Sequence, residues 1–234
     1  MLRVNVTGID GCGKSSAIKA ANDYLKNQQI AVKVRYIPVD YFDSYFFSFP
    51  EQKLERIWLW GDRHKIKFIS AIAFSLSTLL CNFSFWLHKF SWRKKFEVLI
   101  TERDSVVDAL VYFDFYFGWI KKILPLSYQT QIRLKKLLEG LPDILIYLEV
   151  DPQTALSRIE KRLEEGEKKK TRHLHEDQPT LLKLLDFYDQ ILPLAKKEKK
   201  EMEIVKLNTQ TTPAKEVGKK ISEIIIELKR KTGQ

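Results

Sequence analysis

Residues 8–16 read GIDGCGKSS, set between the apolar run LRVNVT and the stretch KSSAIKAANDYL, whose apolar residues recur at helical spacing. Gly8, Gly13, Lys14 and Ser15 satisfy the pattern G-x-x-x-x-G-K-[ST], a loop whose backbone N–H groups converge on a polyphosphate at a helix N-terminus. A strand that feeds such a loop into a helix is the first half of a βαβ unit, and such units build parallel sheets. The loop also contains Asp10, a carboxylate where anionic oxygens are expected to bind. Whatever the loop holds, that charge has to be accounted for.

The remaining chain continues the alternation. Runs rich in β-branched residues fall at 2–7, 30–38, 96–101, 144–150 and 203–207, and helical periodicity covers 14–27, 51–90, 104–118, 127–139, 152–165, 177–197 and 213–230. Strands alternating with helices predict an α/β fold: a five-stranded parallel sheet with helices on both faces. No Pro/Gly/Ser-rich linker or internal repeat interrupts it, so a single domain over 1–234 is expected. Two cysteines in 234 residues, one of them inside the loop, argue against a disulfide framework and for a reducing compartment. With no leader sequence read before the first strand, a cytoplasmic protein is expected.

Ligands of parallel sheets bind beyond the carboxyl ends of the strands, which directs attention to the residues there. In the loop, Gly8, Gly11, Cys12, Gly13, Lys14, Ser15 and Ser16 are the candidates for ATP, with Lys14 on the β- and γ-phosphates and Ser15 on Mg²⁺. After the third strand comes Glu102-Arg103, a metal or acceptor carboxylate followed by an arginine able to fork onto a phosphate. After the fourth strand a Pro-started helix carries Arg158 and Arg162 at i, i+4. They share one face that runs into a basic lid segment at about 163–176. After the fifth, LNTQTTPAKEV places Asn208 where a base of bound ATP could be touched. The plain alternatives are surface ion pairing for the arginines and a simple connection for Asn208.

These pieces resemble the thymidylate kinase family of P-loop nucleoside monophosphate kinases. GIDGCGKSS matches the family loop G-x-[DE]-G-x-G-K-[ST]-[ST] throughout. The resemblance implies a P-loop kinase fold with a lid, ATP as co-substrate and magnesium held by Ser15 and Glu102. It also implies Lys14, Arg103, Arg158 and Arg162 as catalytic groups. The family's acid in the loop holds the 3′-hydroxyl of the acceptor nucleotide, the role implied for Asp10. RIWLWGDR at 56–63 is similar to the family's L-L-F-x-A-x-R, which places Arg63 on the acceptor base with Leu59 and Trp60 beside it. Glu102-Arg103-Asp104 is similar to D-R-[YFH], and the helix ending in Tyr188 to the one that follows the family's lid. The reaction implied is phosphoryl transfer from ATP to a deoxynucleoside monophosphate, dTMP to dTDP. After its second strand, where the family shows an arginine-proline or acid-proline motif, the chain has YIPVDYFDSYFF, with Asp40 but no arginine. Glu102-Arg103-Asp104-Ser105 is also similar to the E-R-S of deoxynucleoside kinases, whose carboxylate base Asp40 could supply. A nucleoside kinase, or a monophosphate kinase of other base preference, therefore stays open. So does a nucleotide sensor associated with a membrane.

A net charge of +10 favours anionic partners. Nucleotides are expected and nucleic acid is not. Residues 68–87, FISAIAFSLSTLLCNFSFWL, carry no charge over a length that could span a bilayer. Four serines, a threonine and an asparagine make the segment poorly apolar, and it falls between two strands of one sheet. A buried helix or a homodimer face is expected there and membrane contact is not, with peripheral contact as the lesser alternative.

Overall fold

Five short strands form one all-parallel sheet in the order β2-β3-β1-β4-β5. The computed structural model describes residues 1–36, parts of 53–76, 92–103, 107–117, 127–165 and 176–232. Its elements are β1 (Leu2–Thr7), α1 (Lys14–Asn27), β2 (Val32–Tyr36), β3 (Val98–Glu102), α2 (Val107–Phe117), α3 (Tyr128–Glu139), β4 (Ile144–Glu149), α4 (Pro152–Glu164), α5 (Gln178–Glu198), β5 (Glu203–Asn208) and α6 (Ala214–Thr232). Consecutive residues Val4, Asn5, Val6 and Thr7 of β1 are all buried, as are Ile144 to Leu148 of β4. Burial without alternation means helices cover both faces. One helical group is α1 with α6; the other is α2, α3 and α5, packed on one another.

The strand order puts β1 at the centre, with β3 on one side and β4 on the other. The chain therefore leaves β1 at the point where the order reverses, and the loop at 8–13 opens into the crevice that follows. Strand β3 runs later than the expected 96–101. Phe96 N–H still bonds back to the Trp92 carbonyl at 2.9 Å, closing a helical turn, and Glu102 is in register with Val6 and with Tyr36. Glu102 is thus the last strand residue, and Arg103 the first beyond it.

The expected helical segment at 51–90 is not continuous. Its described residues are helical up to Gly61 and again from Phe68, with a turn at 64–65. Lys65 adopts a left-handed φ of 57°, and Ile66 N–H reaches back to the Gly61 carbonyl at 2.8 Å. That six-to-one bond across a left-handed residue is how helices stop. Residues 77–91, and with them Cys81, lie outside the described residues.

Close contact between α1 and α6 depends on Gly218. A Cβ there would lie 2.5 Å from the Ala20 Cβ and 2.8 Å from the Ala17 carbonyl oxygen. Next to it the Ser222 hydroxyl donates to the Ala21 carbonyl at 3.2 Å, tying the two helices together. Alanine is the better helix former by about 1 kcal/mol. Overpacking against backbone costs roughly 1–3 kcal/mol and here exceeds that gain. Gly218→Ala is therefore expected to lower the urea midpoint, and a raised midpoint would show that the helices separate freely.

Candidate active site

The loop at 8–13 sits against the first turns of α4 with no room between them. A Cβ on Gly11 would lie 2.3 Å from the Ala155 carbonyl oxygen, and Gly11 has a φ of 82°, so glycine is required twice over. Helix α4 starts cleanly beside it because Asp151 caps the Thr154 N–H at 2.9 Å and Pro152 occupies the first turn. That start brings Arg158 to the loop. Its guanidinium donates to the Gly11 carbonyl at 3.4 Å, to Thr209 at 2.7 Å and to Gln210 at 3.4 Å. Arg158 thus joins the loop, α4 and the turn after β5.

Lys14 is buried at the start of α1. Its Nζ donates to the Gly8 and Ile9 carbonyls, both at 2.8 Å, and lies 3.6 Å from the Asp10 carboxylate. Burial opposes the ammonium, but the Cys12 sulfur, once it ionises at high pH, and Asp10 outweigh it and leave the pKa above the ordinary lysine value. Burial also pushes the Cys12 thiol up, against the pull of Lys14. The thiol is therefore neutral at neutral pH, and Asp10 is the anion that holds Lys14 charged.

Asp10 serves a second cation. Arg103 donates to its Oδ1 at 2.5 Å, Tyr112 donates to its Oδ2 at 3.3 Å, and the guanidinium lies 4.9 Å from the Tyr112 ring centre. Arg103 reaches this position through a left-handed φ of 64° directly after β3, its N–H bonded to the Val6 carbonyl at 3.0 Å. Such a backbone is disfavoured by roughly 1–2 kcal/mol for a residue with a Cβ. The ion pair and the ring contact hold it there.

Behind the loop Thr7, Asp108 and Tyr188 form a second buried group. Thr7 and Tyr188 both donate to Asp108 Oδ1, the tyrosine at 2.5 Å, and Thr7 Oγ1 lies 3.2 Å from the Tyr188 hydroxyl. The same hydroxyl is 3.4 Å from the Gly8 carbonyl. Burial, then Asp108, holds the Tyr188 phenol well above its ordinary pKa, so it stays a donor. Strand β1, α2 and α5 are therefore joined one residue before the loop begins.

A cavity of about 560 Å³ opens in front of the loop, lined by Asp10, Gly11, Gly13, Lys14, Ser15, Ser16, Lys19, Glu102, Arg158, Ile159 and Arg162. That volume is within the range of small-molecule sites. Four cations face two carboxylates across it. Arg162 is oriented by Glu176, almost fully buried, at 2.9 Å. Glu176 lies directly before Asp177, which caps α5 through the Thr180 N–H at 2.8 Å. The ion pair thus closes the base of the expected lid, whose residues 166–175 lie outside the described ones.

Most of the residues singled out from sequence meet here, and some do not. Gly8 and Cys12 belong to the loop but not to the cavity wall; the Cys12 side chain is fully buried and its N–H bonds the Ile9 carbonyl at 3.3 Å. Arg103 stands behind Asp10 and is not among the wall residues. Asn208 is exposed and accepts from the Gln210 N–H at 2.8 Å, shaping the turn that Arg158 holds. Trp60 is exposed and stacks on His64, with ring centres 4.5 Å apart, away from the wall. Leu59, Arg63, Asp40 and Asp104 lie outside the described residues. Lys19 was not anticipated, although its i, i+4 spacing from Ser15 on α1 was a readable signal. Tyr112, Asp108 and Glu176 were not anticipated either; the partners of the first two lie about a hundred residues away, and that of Glu176 across the expected lid. No family model matches the chain, and no curated protein matches it.

Two measurements check this geometry. Asp10 and Arg103 keep only 11% and 14% of their side chains exposed, so removing one partner strands a buried charge. Asp10→Asn and Arg103→Met are each expected to cost about 3 kcal/mol. The double variant should fall short of their sum by at least about 1.5 kcal/mol, and additive losses in urea unfolding would show that the pair contributes nothing. Cys12, buried and neutral, should be alkylated slowly by iodoacetamide at pH 8 and rapidly in urea, read on its own peptide by mass spectrometry. Fast labelling of the folded chain would place the thiol at the surface instead.

Proposed function

We propose that this chain is an ATP-dependent nucleoside monophosphate kinase, thymidylate kinase-like, with a P-loop kinase fold. It would pass the γ-phosphoryl group of ATP to a deoxynucleoside monophosphate, dTMP being the acceptor its resemblance favours. The observation that carries this reading is the convergence on one cavity of Lys14, Ser15, Glu102, Arg158 and Arg162, with Asp10 set in the wall and Arg103 behind it.

Phosphoryl transfer needs little covalent help and much positioning and charge neutralisation. An acceptor phosphate oxygen attacks the γ-phosphorus, the bond from that phosphorus to the β–γ bridging oxygen breaks, and ADP leaves. The chain's part is to offset charge on the oxygens in flight. Lys14 exchanges its two carbonyl partners for phosphate oxygens, which accept more strongly because they are charged. Arg162 extends from Glu176 over the γ-phosphate, and Arg158 stays anchored as the hinge between loop and helix. Asp10 presents its remaining acceptor capacity to the sugar of the incoming nucleotide. The Ser15 hydroxyl and the Glu102 carboxylate are hard oxygen donors on one wall, the kind magnesium takes, and the ion would add charge neutralisation on the phosphates.

The test is an acceptor screen: ATP with magnesium against all common nucleosides and nucleoside monophosphates, read as ADP release and confirmed by chromatography of the product. A deoxynucleoside monophosphate should be phosphorylated, and Lys14→Met should lower kcat by at least about 10³-fold with an unchanged melting temperature. Phosphorylation of nucleosides alone would replace this reading with a nucleoside kinase. Slow hydrolysis with no acceptor dependence would replace it with a nucleotide sensor.

A further inference from the structure

Of the four cations on the cavity wall, three already have partners within the chain. Lys14 donates to the Gly8 and Ile9 carbonyls, Arg158 to those of Gly11, Thr209 and Gln210, and Arg162 to the Glu176 carboxylate. Lys19 is different. It lines the same cavity and is exposed, and among the described residues its ammonium makes no hydrogen bond, ion pair or ring contact. Asp23 stands at i, i+4 from it on α1, the spacing of an ordinary surface pair. No such pair forms.

The place of Lys19 on α1 gives its charge a direction. At about 100° per residue it stands about 40° around the helix from Ser15, about 60° from Ser16 and about 140° from Lys14. A long side chain on a helix leans back toward the N-terminus and covers the turn before its own. Lys19 therefore reaches over Ser15 and Ser16, which line the cavity with it. The first turn of α1 contains no acid, so Lys14, Lys19 and the positive end of the helix dipole add like charge there. Asp10 is already shared between Lys14 and Arg103. An anion entering the cavity is what would relieve the excess.

We propose that Lys19 is a contact for the donor nucleotide, its ammonium on the phosphates that remain with ADP. The inference rests on the reading of the loop as a nucleotide site and adds a residue to it. Lys14, Arg158 and Arg162 each have to give up or share an acceptor to meet a phosphate, so each gains only the difference between two hydrogen bonds. Lys19 exchanges water alone. Its offset from Lys14 sets it beside the two serines, away from the group in transfer. Because the side chain is exposed, salt screens its contribution.

The experiment is calorimetric titration of the full chain with ADP and magnesium at low and high salt, comparing the wild type with Lys19→Gln and Lys19→Arg. Lys19→Gln is expected to weaken ADP binding at least about tenfold at low salt and to reduce its salt dependence. The melting temperature of the free chain should not change, since the side chain has no partner to lose. Lys19→Arg keeps the charge and should recover most of the affinity, while dTMP should bind all three proteins alike. Unchanged ADP affinity in Lys19→Gln overturns the proposal. So does an equal loss for dTMP, which would make Lys19 a general attractor of anions. ADP binding needs no acceptor, so a chain without kinase activity leaves the result standing, whereas a wild type that binds no ADP overturns both readings.

Discussion

The ion pair between Asp10 and Arg103 is the contact on which the arrangement around the loop depends. Two cations, Lys14 and Arg103, are buried within reach of one carboxylate, 3.6 and 2.5 Å away. Removing charge from water is expensive unless it is paired and hydrogen-bonded. Without Asp10 the floor of the site would hold two like charges, Lys14 with neutral carbonyls as its acceptors and Arg103 without its hydrogen-bonded carboxylate. A carboxylate in a phosphate-binding loop looks misplaced only while the loop is considered alone. Considered with β3, it is the counter-charge that lets an arginine stand directly behind the loop, in a backbone conformation that residue would not otherwise choose.

That pair is one of three ties between the loop and its surroundings, and each uses a different kind of bond. The Thr7–Asp108–Tyr188 group, wholly buried, joins the end of β1 to α2 and α5. Arg158 joins the loop to α4 and to the turn after β5 through carbonyl oxygens alone. A further ion pair, not a tie to the loop, is that of Glu176, just before α5, with Arg162 on α4. Each of the three ties is made across elements that are distant in the chain, so the partners' positions are fixed by the fold as a whole; the Nε of Arg103 and of Arg162 is left buried without a hydrogen-bond partner. The consequence is a division of labour. Arg158 is spent on backbone carbonyls and acts as a strut. Arg162 shares one carboxylate and keeps the freedom to change partner, although i, i+4 spacing made the two arginines look equivalent.

Local chemistry explains which parts were legible from residues alone. Buried parallel strands announce themselves as β-branched runs, and all five were readable, with errors only at their ends. The glycines of the loop were readable because only glycine satisfies both the left-handed φ at Gly11 and its contact with Ala155. Glu102 was expected just past its strand and is instead its last residue, because sheet register, a tertiary property, decides where pairing stops. Tyr112 and Asp108 had no sequence signal: each finds its partner about a hundred residues away, across β1. The helix stop at Lys65 was hidden for a different reason. A left-handed lysine carries none of the cues of glycine or asparagine, so the apolar pattern seemed to run on.

The excess of positive charge also separates into distinct uses once positions are known. Lys199 with Asp143, Lys206 with Glu149 and Lys229 with Glu97 are pairs that fasten helices and strands, and they leave little field for a partner. The cavity cations are opposed by two carboxylates on the same walls, so a ligand there must match a mixed pattern of donors and acceptors rather than simply be negative. Net positive charge is therefore a poor guide to what this chain binds, and what gives the cavity its selectivity is where its carboxylates are.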